Sequence, residues 1–133
     1  MTSSLMLRSL STKMALAVLV LLSSSAFAAH EPLPPELLQA KTVNIQNYSG
    51  QASWADGCYD ELQKWGRFKI VSNPKDADLI FRLSYRVQRG RATIDIIQTS
   101  NHRMLWSDTR IWSVKSVVKE LQGRIREEES AGR

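Results

Sequence analysis

The chain has 133 residues, with 18 Lys+Arg against 13 Asp+Glu and a single cysteine. That length suits one modest domain rather than several, and one cysteine excludes an intramolecular disulfide. The formal net charge of +5 includes Arg8 and Lys13, and the bias left without them is too small to argue for nucleic-acid binding.

In chain order, residues 1–28 read as a secretory signal peptide. Arg8 and Lys13 give a positive start, and Met14–Leu22 is an apolar run well short of the roughly 20 residues that a spanning helix needs. Ala26-Phe27-Ala28 supplies small residues at the two positions a signal peptidase reads, so cleavage is predicted between Ala28 and Ala29. The expected location is the periplasm or the exterior. No cysteine stands just after the cut, so a free species rather than an acylated one is expected. No later segment is apolar enough to span a membrane.

Residues 29–40 form a Pro-rich arm, in which Pro32, Pro34 and Pro35 disfavour a regular start and favour an extended course. Leu33, Leu37 and Leu38 are available to pin it. Lys41–Asn47 alternates, with Val43 and Ile45 on one side, as a half-buried strand does. Ser53 and Asp56 have the spacing of an acidic capping box. A helix over Trp54–Trp65 follows, with Ala55, Cys58/Tyr59, Leu62 and Trp65 on one stripe. Gly66 stands where a left-handed cap ends a helix. Gly57 inside that helix costs about 1 kcal/mol relative to Ala, which suggests a close neighbour.

Phe68–Val71 is a short strand and Asn73–Asp76 a turn. Asp78–Val87 is the clearest strand: Leu79, Phe81, Leu83, Tyr85 and Val87 share one face, Arg82, Ser84 and Arg86 the other. Gln88–Arg91 turns into a strand over Ala92–Thr99, and Ser100–His102 turns into a last one over Arg103–Ser107, a meander. Ser113–Glu128 is the second helix, with Val114, Val118, Leu121 and Ile125 on its apolar stripe. Glu127, Glu128 and Glu129 oppose its dipole, so fraying and a disordered tail over residues 129–133 are expected. Residues 41–128 should therefore form a single α+β domain: a two-layer sandwich of an about five-stranded mixed sheet with both helices on one face.

The run Leu62–Val71, then Pro74–Ile80, then Leu105–Asp108 resembles a group of small secreted bacterial proteins of unknown function. That pattern is similar to the N-terminal domain of the Tol-Pal periplasmic protein TolB and to related envelope-assembly domains. The resemblance covers roughly Lys41–Ile125. It implies a binding or scaffolding role in the cell envelope and carries over no catalytic residue.

The residues themselves offer several chemistries. Cys58 is either a thiol nucleophile of a small secreted enzyme or redox protein, which needs a base or positive charge beside it, or a small apolar residue of the inner stripe. Ala29-His30 at a new N-terminus is a copper-chelating arrangement, but no other ligand set supports a metal. Asp76 and Asp78 sit in a turn, where stabilising that turn suits them better than glycoside hydrolysis. No Gly-rich phosphate loop, Cys pair or nucleophile elbow occurs, so no catalytic residue, metal or cofactor is assigned. Four tryptophans stand in the chain: Trp65 suits a core position, Trp54 and Trp112 stand at helix starts, and alternation places Trp106 on one face with Met104.

The arginines are the main functional clue. Arg82, Arg86, Arg89, Arg91 and Arg103, with Trp106 nearby, form the expected binding surface on the uncovered sheet face. Guanidinium forks suit carboxylates and phosphates, so the partner would be an envelope protein or an acidic envelope polymer. The competing reading is a solvated face kept soluble by charge and partly neutralised by Asp95 across the hairpin.

Overall fold

A computed structural model describes residues 31–86, 90–110 and 113–132. Leu33 onward forms one compact unit. The signal peptide, its cleavage site and His30 lie outside the described residues.

The Pro-rich arm is not extended throughout. Pro35–Gln39 is a short helix (α1) with proline in its first turn, where a missing N–H costs nothing and the fixed φ suits the helix. It carries Leu37 into the core at 0% exposure, and Leu33 is buried beside it. Leu33 and Leu37 thus share one core with the sheet and the long helices.

Strand β1 is Thr42–Asn47 and helix α2 is Ala52–Trp65. The helix starts earlier than predicted and has no side-chain cap, so Ser53 and Asp56 are not a capping box. The turn before it is held otherwise. Asn47 Nδ2 donates to the Gln51 carbonyl at 2.8 Å, and the Gln51 N–H donates to Ser49 Oγ at 3.0 Å. Gly66 ends α2 as expected, at φ 73° with its N–H on the Leu62 carbonyl.

Strand β2 is only Lys69–Ile70. A single 3-10 turn, Pro74–Asp76, is capped by Asn73, whose side chain accepts from the Lys75 N–H. The meander follows as β3 (Leu79–Arg86), β4 (Arg91–Gln98) and β5 (Met104–Arg110). Helix α3 spans Val114–Ala131, capped by Ser113 accepting from the Ser116 N–H. The predicted tail beyond residue 128 is therefore mostly helix: Glu129 is ion-paired to Arg67, a partner the local dipole argument does not include.

The sheet order is β2-β1-β3-β4-β5. β1 pairs in parallel with both β2 and β3, and the meander is antiparallel. The connection from β2 to β3 returns beside β1, where Asn44 Nδ2 donates to the carbonyls of Val71 and Ser72. That satisfies a side chain only 6% exposed.

Both long helices bury their apolar stripes in one cluster with the inner sheet face. Cys58 and Leu62 of α2 meet Val117, Val118, Leu121 and Ile125 of α3 over Val43, Phe81, Leu83, Ile94 and Ile96. Phe81 is fully buried and meets Phe68 edge to face at 5.9 Å. A Phe in such a position is worth about 3–5 kcal/mol against Ala. The two-layer α+β plan with a five-stranded mixed sheet stands.

Candidate functional site

Ile80, Arg82 and Ser84 of β3 point away from the helices, and the register carries that face across the sheet. Arg82 stands opposite Gln46 on one side and Asp95 on the other, and Asp95 stands opposite Ser107. Arg82 Nη2 lies 3.2 Å from Asp95 Oδ2, and Ser107 Oγ donates to Asp95 Oδ1 at 2.6 Å. One carboxylate thus holds a guanidinium and a hydroxyl in a row across three strands. The Arg82 side chain remains 40% exposed, leaving part of its fork toward solvent. The next row along is Ser84, Thr93 and Thr109, with the two threonine hydroxyls 2.8 Å apart.

On the other side of the Arg82 row lies an apolar one that the arginine pattern conceals. Ile80 pairs with Ile97, and Ile97 with Met104. Ile80 and Ile97 are 7% and 8% exposed, whereas Met104 is 52% exposed. The signal for this row is the two isoleucines falling on the outer parity of two strands that the register then makes neighbours.

The expected arginine patch does not converge. Arg86 stands opposite Arg91 in the ladder, at the hairpin end of β3 and β4. Arg91 is half-buried, and its Nε has no hydrogen-bond partner. Arg103 is exposed, but it precedes β5 at the opposite end of β4, where its carbonyl accepts from the Gln98 N–H. Arg89 lies outside the described residues.

Trp106 is not beside Arg82. The ladder pairs Ile97 with Met104 but Ile96 with Trp106, so Leu105 is an extra residue. Such a bulge interrupts alternation and sends Trp106 to the inner face, where it packs against the core. Trp54 and Trp65 also pack against the core. Trp112 lies outside the described residues.

Other candidates separate clearly. Cys58 is fully buried, and that burial pushes its thiol up to about 12, the opposite of what an activated thiolate requires. Asp78 serves the backbone. The Lys41 N–H donates to its Oδ2 at 2.9 Å and the Thr42 N–H at 3.2 Å. The Lys41 bond is the main reason its carboxyl titrates below the usual range. Arg110 is held by Asp108 and by Glu120 of α3, its hydrogen bond to Asp108 chiefly raising its pKa. Among the described residues no three His, Cys, Asp or Glu side chains gather as a metal site would require. No helix of those residues is long and apolar enough to cross a membrane.

No family model and no curated protein matches the sequence. Among solved structures the chain is similar to a PelC dodecamer from Paraburkholderia phytofirmans, at 16% identity and a TM-score of 0.43, over 68% of this chain and 86% of that one. It is also similar to a dodecamer of a PelC point variant from the same organism, at 18% identity and a TM-score of 0.39, over 60% of this chain and 80% of that one.

Proposed function

We propose that this chain is an exported, non-catalytic binding module that docks a protein partner of the cell envelope against its outer sheet face. The observation that carries this reading is the division of the sheet. Both long helices bury their apolar stripes on the inner face, while the outer face presents the Arg82–Asp95–Ser107 row beside exposed Met104. A partly exposed guanidinium and an exposed thioether on one face suit a protein-binding patch. The leader at residues 1–28 and the resemblance to secreted envelope domains support export and a scaffolding role.

An acidic polymer held by charge alone fits the face less well. Asp95 already neutralises Arg82. A protein partner uses the remaining donors of Arg82 directionally and covers Met104 at the same time.

A photo-crosslinking residue at Ser107, on the outer face, tests this in intact cells against one at Lys64 on an exposed turn of α2. Crosslinks to one discrete protein from position 107, absent from position 64, are expected. Arg82→Ser combined with Met104→Ser should abolish them while leaving the circular dichroism unchanged. Crosslinks from position 64 alone, or a double variant that crosslinks as before, overturn the reading.

A further inference from the structure

At the sheet edge far from β5, β2 leaves part of its backbone unused. Its ladder to β1 employs the N–H groups of Lys69 and Val71, which donate to the carbonyls of Lys41 and Val43, each at 2.8 Å. Alternate residues of a parallel strand face one neighbour, so Ile70 turns its own N–H and C=O to the open side. Helix α2 runs alongside. Between the helix and this edge lies a groove of about 510 Å³.

The floor of the groove carries an apolar strip, with Asn44 and Ser72 as its polar neighbours. Ile45, Ala55 and Ile70 line it and rest partly buried against the core, with Val71 beside them. Exposed Asp56 and Tyr59 form the α2 rim. Tyr59 is 43% exposed, and its hydroxyl accepts from Gln63 Nε2 at 2.8 Å, which steadies the ring. Asp56 is the one charged residue lining the groove, and it takes part in none of the ion pairs among the described residues.

We infer that this groove takes an extended peptide segment of a partner protein as an added strand on β2, with an apolar side chain on the floor and a lysine or arginine at Asp56. Each requirement comes from a separate feature. An outward N–H and C=O on a single residue call for a main chain, because an extended strand supplies both complements at the right separation. The floor between helix and strand accepts every second side chain of such a segment. The lone carboxylate on the rim selects the sign of the flanking charge. A small apolar molecule would satisfy the floor and leave the backbone pair of Ile70 unmet. This site lies on the opposite edge of the sheet from Met104 and does not rest on the outer-face reading.

The test is a library of random short peptides displayed on phage, selected on the full chain after its leader. An enriched peptide is then synthesised and titrated into the labelled protein while amide NMR shifts are followed. Enriched sequences should set an apolar residue beside a Lys or Arg, and their titration should move the amides of Ile70, Val71 and Tyr59. Asp56→Lys, at an exposed position, should weaken binding by about tenfold. Ala55→Glu should abolish it by filling the floor, and if that variant does not fold Asp56→Lys still decides. Arg82→Ser should leave affinity unchanged. The inference fails if no sequence is enriched, if the shifts map to the outer face, if Asp56→Lys binds as before, or if the only response is concentration-dependent pairing of the chain with itself.

Discussion

The guanidinium of Arg67 pairs through Nη1 with Glu129, 62 positions away in sequence, and donates through Nη2 to the Leu38 carbonyl at 2.9 Å. One side chain, set just after the end of α2, thereby ties α1 to the last turns of α3. It also lies 5.9 Å from the centre of the Phe68 ring. The two halves of this arrangement differ in value. Glu129 is 48% exposed, so solvent screens the ion pair to about 0–1 kcal/mol. The Leu38 bond and the packing on Phe68 are more sheltered, and losing them costs about 1–3 kcal/mol. Urea denaturation should therefore find Glu129→Gln nearly neutral and Arg67→Ala clearly destabilising. Equal losses would show that the ion pair to α3, not the carbonyl contact to α1, carries the stabilisation by Arg67.

Cys58 should be inert in the folded protein. Its thiol is fully enclosed and pushed up to about 12, so alkylation at neutral pH should proceed only through unfolding and accelerate sharply in urea. Cys58→Ser should cost about 1–3 kcal/mol, because a hydroxyl there is buried without a partner, whereas Cys58→Ala should cost less. The pH dependence has a definite sign. Above the ordinary thiol value of 9.0 the unfolded chain releases a proton that the native state retains, so stability falls as pH rises from there toward about 12 and is unaffected below. The difference between wild type and Cys58→Ala isolates this slope from other groups. A wild-type thiol that reacts as fast as an unfolded control would overturn the prediction.

Two glycines should respond in opposite directions to the same substitution. Gly66 sits at φ 73°, so Gly66→Ala costs about 1–2 kcal/mol of left-handed strain. Gly57 is within α2, and a Cβ there meets only the aliphatic chain of Lys115, at 3.6 Å. That is ordinary contact with a flexible side chain, so Gly57→Ala should stabilise by about 0.5–1 kcal/mol through backbone entropy. Melting temperatures of the two variants check both signs. A Gly57→Ala variant that melts lower would mean that the α2–α3 contact is tighter than the Lys115 side chain allows.

Elements whose cause is local are legible in the sequence. The alternation of Leu79, Phe81 and Leu83 announces β3, and Gly66 announces the end of α2. What depends on distant partners is not. The final turns of α3 look frayed until Arg67 is placed beside Glu129. The start of α2 is obscured because Asn47 and Ser49, rather than a residue of the helix, organise the turn. Proline in the arm hides α1, since the same residue that forbids a helix interior suits a first turn. For the candidate surface, Arg82 with Asp95 follows from parity and pairing, but Trp106 does not. A single extra residue, Leu105, reverses the face of all that follows in β5, and no periodic reading detects it. The groove beside β2 is hidden for a related reason: Asp56 and Ile70 come together only once α2 is laid along the sheet edge.

Asp78 links the start of β3 to the start of β1. Its Oδ2 accepts from the N–H groups of Lys41 and Thr42, while its own N–H donates to the Thr42 carbonyl at 3.0 Å and to Thr42 Oγ1 at 2.9 Å. These bonds secure the parallel register in which Val43 faces Leu79. Because the bond from the Lys41 N–H, chief among them, favours the charged carboxylate, its pKa lies below the ordinary 3.8. The native state then binds the proton less readily than the unfolded chain, so this contribution is complete above pH 3.8 and is lost as pH falls through the lowered value. Asp78→Asn keeps the shape but weakens the acceptor, and should cost roughly 1 kcal/mol at neutral pH. It should also flatten the acid limb of the stability profile relative to wild type. Denaturation midpoints between neutral pH and pH 3 measure both effects. An acid limb that is as steep in Asp78→Asn as in wild type would assign that dependence to other carboxylates.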